Sequence, residues 1–148
     1  MSLKQLLADD IKTAMRSGEK SRVKTLRMVT AAIKQREIDE RTDLDDGQIL
    51  AVLEKMIKQR RDSEDQYRQG GREDLATVEA AEIEILSRYM PEPLSEAELD
   101  NLIDEAIATT GAESMQQMGQ VMGHLKPQVQ GRADMKEVSA RVRTRLAG

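Results

Sequence analysis

Apolar residues recur along this chain at steps of three and four, the interval that lines up one face of an α-helix rather than the alternation of a strand. Leu3, Leu6, Leu7, Ile11, Ala14 and Met15 form the first stripe, behind Ser2, which suits a helix amino terminus, and ahead of Gly18, which ends it. A second stripe carries Val23, Leu26, Thr30 and Ile33 on to Glu37, with Lys20, Lys24, Arg27 and Lys34 near one edge. The polar cluster from Thr42 to Gly47 then interrupts the pattern and supplies capping groups. A third helix follows on Ile49, Leu53, Met56, Ile57 and Arg60, continues to Gln69 and stops at Gly70-Gly71. Leu75, Val78, Ile85, Leu86 and Tyr89 predict a fourth.

Met90-Pro91-Glu92-Pro93-Leu94 marks a domain boundary, because each proline removes an amide donor and biases the residue before it against helix. Ser95-Glu96-Ala97-Glu98 is a capping-box pattern, and the helix it opens, on Leu99, Leu102, Ile103, Ala106 and Ile107, should end at Gly111. Ser114 to Gln117 repeats that logic for a sixth helix bearing Met115, Met118, Met122 and Leu125, with Pro127 expected just after it. Asp134 should cap a last helix on Val138, Val142 and Leu146. The expectation is an all-α chain: an N-terminal four-helix bundle over residues 1–90, then a small three-helix C-terminal domain over residues 95–148.

Composition agrees with helices. Two tyrosines are the only aromatic residues, so the core must come from Leu, Ile, Val, Ala and nine Met, which suits helices better than sheets. There is no cysteine, which removes disulfides, thiolate metal sites and cysteine nucleophiles. With no secretory apolar core near the start and no apolar run approaching the ~18 residues of a membrane span, the expected location is the cytoplasm, with no membrane partner.

The net charge of −4 conceals a segregation. Residues 1–41 carry ten Lys/Arg against six Asp/Glu, residues 42–110 seven against eighteen, and residues 111–148 six against three. Basic ends around an acidic middle fit either nucleic-acid contact or charge pairing inside the protein.

Catalysis finds little to work with. A single histidine, His124, cannot make a two-histidine metal site, and no hydroxyl, thiol or amine is set beside a base and its orienting group. Asp43, Asp45 and Asp46 read as helix-start anions rather than as a magnesium site, and Gly70-Gly71-Arg72 lacks the spacing of a phosphate loop. No catalytic residue, metal or cofactor is therefore assigned.

Gly119 and Gly123 stand four apart on the sixth helix, where each costs roughly 1 kcal/mol against alanine. Two readings stand: a neighbouring helix packing tightly, which carries more weight, or close approach to an RNA sugar-phosphate strand. Lys126, Arg132, Lys136, Arg141 and Arg145 lie just beyond, with Arg143, and are the candidate phosphate-contacting surface. Without aromatic platforms, any RNA would be recognised by shape and backbone.

The chain resembles the stand-alone YqeY-like proteins, which are similar to the carboxy-terminal tail of the GatB subunit of glutamine-dependent aminoacyl-tRNA amidotransferases. The matching stretches are Thr25-Leu26-Arg27-Met28 with Ala31-Ala32-Ile33-Lys34, Gly71-Arg72-Glu73-Asp74-Leu75, and Tyr89-Met90-Pro91. The most specific is Met118-Gly119-Gln120-Val121-Met122-Gly123 through Pro127 to Gly131-Arg132-Ala133-Asp134. The resemblance implies a helical bundle plus a three-helix tail that helps to hold tRNA, with amidotransferase or synthetase components as possible protein partners. It implies no chemistry here, because phosphorylation and transamidation belong to parts of that machinery this chain lacks. The expected function is thus a non-catalytic tRNA-binding accessory. The alternatives are an accessory of carbon–nitrogen ligation with glutamine as amido-nitrogen donor, or a protein-interaction module without RNA.

Overall fold

The computed structural model describes residues 1–147, and these form seven α-helices, one short 3₁₀ turn and no strand. The helices are α1 (Leu3–Arg16), α2 (Lys20–Glu40), α3 (Asp46–Gln69), α4 (Glu73–Ser87), α5 (Glu96–Thr110), α6 (Met118–Val129) and α7 (Met135–Ala147). They divide into two compact units, Met1–Met90 and Pro91–Gly148.

In the first unit the caps follow from the sequence. Ser2 Oγ accepts from the Gln5 amide at 3.1 Å, and Asp45 forms a capping box with Gln48, satisfying amides that have no partner inside their helix. Asp46 Oδ1 accepts from the Leu3 amide at 3.0 Å, so these aspartates serve helix starts. α2 ends in a left-handed turn at Arg41, and Glu37 stabilises the turn by accepting from the Leu44 amide at 2.9 Å while pairing with Lys4 of α1.

Leu7, Leu26, Val29, Ile33, Ile49, Leu53 and Leu86 lie at the centre of the first core, each side chain gaining about 1.5–3 kcal/mol by leaving water. α3 packs most extensively on α4, and α1 on α2. The Arg60 guanidinium crosses from α3 to Glu82 of α4 at 2.8 Å, mostly shielded from solvent. Tyr89 is buried after α4 and donates its hydroxyl hydrogen to Asp10 of α1 at 2.5 Å. Three stripe residues depart from expectation: Met15 is 54% and Val78 55% exposed, and Leu6 sits at the rim. Ala76 and Thr25 are buried instead, since the true faces are rotated slightly from the sequence stripes.

The second unit packs Leu99, Ile103, Ala106, Val121, Leu125, Val129, Val138 and Val142 into a core of its own. Ser95 and Glu98 complete the expected capping box, and Gly111 takes a φ of 67° to close α5, a conformation glycine adopts without penalty. Two sequence expectations need correction. Ser114 makes no side-chain cap; Met115–Gln117 is a 3₁₀ turn, and the Gln117 side chain instead accepts from the Glu113 amide at 2.7 Å. Pro127 lies inside α6 rather than after it, near enough to the end that only one amide partner is lost.

Candidate nucleic-acid interface

α6 presents its apolar face, Val121, Leu125 and Val129, to the core. On the opposite side, at about 100° per residue, Gly119, Gly123 and Lys126 fall within roughly 60° of one another. Both glycines are exposed, and a Cβ built on either would meet no atom within 4 Å beyond its own turn of helix. Among the described residues of the second unit no helix packs against them, so packing within that unit, the reading given more weight from sequence, does not account for them. What remains is a strip of bare backbone facing open space.

Pro127 adds to it. An α-helical carbonyl is bonded by the amide four residues on, and for Gly123 that residue is Pro127, which has no N–H. The Gly123 carbonyl therefore lacks its usual helical donor, on a surface from which side chains are missing. Lys126 stands one turn away, exposed and without an ion pair among the described residues, in the last turn where the macrodipole also favours a cation. His124 is exposed on a neighbouring flank, and its carbonyl accepts from the Gln128 side chain at 3.4 Å.

The expected cationic surface does not form as one patch. Arg141 pairs with Asp100 at 2.9 Å, Glu137 at 3.0 Å and Glu96 at 3.4 Å. Arg145 pairs with Asp100 at 3.3 Å and with Asp104. The hydrogen bonds that Arg141 donates to Glu137 and then to Asp100 push its pKa further up, fixing its charge in this network. The two arginines line an open cleft of about 490 Å³ with Asp100, and their charge is largely answered. Arg132 is partly buried and structural: its Nε donates to the Glu92 carbonyl at 3.0 Å, and its own carbonyl accepts from Leu94 at 2.9 Å.

Lys136 and Arg143 are exposed, with no ion pair among the described residues. The seven-residue step keeps them on one flank of α7, but the five residues from Lys136 to Arg141 turn the helix through about 140°. Of the residues singled out, Gly119, Gly123 and Lys126 thus share a face, whereas Arg132, Arg141 and Arg145 are committed elsewhere. The missed partners were visible: Glu96, Asp100 and Asp104 repeat every four residues, an acidic ridge matched to the four-residue spacing of Arg141 and Arg145.

The sequence profile of Yqey-like proteins matches residues 4–146. A protein of Pyrenophora tritici-repentis called altered inheritance of mitochondria protein 41, mitochondrial, is 31% identical over 139 residues, covering 92% of this chain and 76% of that protein. Proteins of the same name from Kluyveromyces lactis and Lachancea thermotolerans are 42% and 38% identical, over 56% and 67% of this chain. Those two alignments span 45% and 57% of the fungal proteins, about half their length. The names overturn the cytoplasmic expectation, since they point to the mitochondrion. The absence of cysteine, on which that expectation partly rested, does not separate the cytoplasm from the interior of an organelle. With the profile spanning nearly its whole length, this chain belongs to the YqeY-like family.

Proposed function

We propose that this protein is a non-catalytic RNA-binding accessory, in which a three-helix domain of residues 95–148 follows a four-helix bundle of residues 1–90 and lies against the backbone of a structured RNA. tRNA is the foremost ligand, on the resemblance to amidotransferase tails, and tRNA-handling enzymes are the corresponding protein partners. The observation that carries the reading is the open space before Gly119 and Gly123, whose combined cost of about 2 kcal/mol in helix propensity no packing among the described residues of the second unit offsets.

Bare backbone suits a ribose-phosphate strand. The Gly123 carbonyl can accept from a ribose 2′-hydroxyl, the one group that distinguishes RNA from DNA, while Lys126 answers a neighbouring phosphate. Lys136 and Arg143 are the cations left to extend the contact, and Arg141 and Arg145 contribute by holding α7 on α5.

Filter binding over a salt series with tRNA and with a DNA duplex of matched length tests the proposal. The expected result is a preference for tRNA that survives at moderate salt, because it rests on the 2′-hydroxyl as well as on charge. Equal affinity for both, vanishing together as salt rises, would reject it.

A further inference from the structure

The first unit carries a charged surface that the RNA reading does not use. Lys20, Lys24, Arg27, Ala31, Lys34 and Ile38 are all exposed on α2 and follow one another at steps of four, three, four, three and four. That alternation is the spacing of a coiled-coil seam. Four of the six are cations, and none of those four has an ion pair among the described residues. Other cations of the unit divide, Lys4, Arg36, Arg60, Arg68, Arg72 and Arg88 having carboxylate partners while Lys12, Arg16 and Arg41 are exposed without an ion pair among the described residues, so it is the alignment of the four along one seam that sets them apart.

At the amino-terminal end of this stripe lies an open groove of about 530 Å³, with Ala14, Met15 and Val23 as its apolar lining and Lys20, Lys24 and Arg27 beside it. Met15, 54% exposed, is held in place by the Arg27 guanidinium, which donates to its sulfur at 3.6 Å. Ile38, 60% exposed, closes the other end. A solvated helix face ordinarily interleaves both signs of charge, and this one does not.

We infer that α2 docks an acidic amphipathic helix of a partner protein, which lays glutamates or aspartates at heptad spacing along Lys20, Lys24, Arg27 and Lys34 and inserts an apolar residue beside Met15 and Val23. A helix is the occupant because the seam has helical period and ends in an apolar groove, which a phosphate backbone would leave unfilled. The same stripe on a second copy is excluded by repulsion between like charges. Opposed charge sets the register and speeds the encounter, and the apolar anchor slows dissociation.

Fluorescence anisotropy on the full-length protein tests this with a labelled helical peptide of about 20 residues, bearing glutamates at heptad spacing on one face and a leucine pair at one end. A peptide of the same composition in scrambled order is the control. The ordered peptide should bind about tenfold or more tightly than the scrambled one, and charge reversal of Lys24→Glu with Arg27→Glu should remove at least that factor. Met15→Gln should weaken binding several-fold at high salt as well as low, because its contribution is apolar. Circular dichroism establishes that the exposed substitutions leave the fold intact. Equal binding of ordered and scrambled peptides, or indifference to the reversal, would overturn the inference. So would tighter binding of an RNA duplex lost on the same substitutions, or salt-sensitive self-association that they abolish, which would assign the face to nucleic acid or to a second copy.

Discussion

Tyr89 shows how much one side chain can tie together. Burial, and then the hydrogen bond it donates to Asp10, push its hydroxyl pKa up to about 12. The folded protein therefore keeps a proton that the unfolded chain releases near pH 10, so this contribution is complete below that pH and is lost between about 10 and 12. Tyr89→Phe should cost about 1.5–3 kcal/mol at neutral pH, as a hydrogen bond to a charged acceptor does, and should flatten the alkaline decline in denaturant midpoint. Glu37 acts at the other end of the scale. The Lys4 ammonium, and then the Leu44 amide, hold its carboxyl below the usual range. Its contribution is present above the ordinary glutamate pKa and is lost as pH falls through the lowered value. Urea midpoints of Glu37→Gln and the parent should therefore converge in acid. Neither role was legible in the sequence: Tyr89 read as one more apolar helix position and Glu37 as an odd member of a stripe, because both depend on partners that are distant along the chain or across a turn.

At the scale of the element, α6 sets stability against use. The helical period, the Ser95 capping box and the Gly111 stop were all readable, since each is a local signal. The exposure of Gly119 and Gly123 was not, because spacing alone cannot say whether a small-residue face meets a neighbour or solvent. With nothing beyond its own turn of helix within 4 Å of either added Cβ, Gly119→Ala and Gly123→Ala should each stabilise the protein, by about 0.8–1 kcal/mol in helix propensity. Thermal unfolding would show the transition moving up by a few degrees for each.

For the whole molecule, charge bookkeeping by segment showed basic ends and an acidic middle but not which cations remain free. The acidic ridge of Glu96, Asp100 and Asp104 takes up Arg141 and Arg145, leaving Lys126, Lys136 and Arg143 for an outside ligand from the second unit. Salt dependence reports that difference directly, because each phosphate neutralised contributes close to one unit of slope. The proposed contact should give a slope of about 2–3 rather than the ~5 that the full set of basic residues would produce. Asp100→Asn with Asp104→Asn, which releases Arg145 and takes from Arg141 one of its three carboxylates, should strengthen RNA binding and steepen the slope.

The most direct measurement is tRNA affinity of the Gly119→Ala/Gly123→Ala double variant beside the parent at one salt concentration, with thermal unfolding recorded on the same samples. If bare α6 backbone is the contact surface, the variant is the more stable protein and binds at least about tenfold more weakly, as expected when close approach is blocked. A variant that is stabilised and yet binds tRNA as tightly as the parent contradicts it.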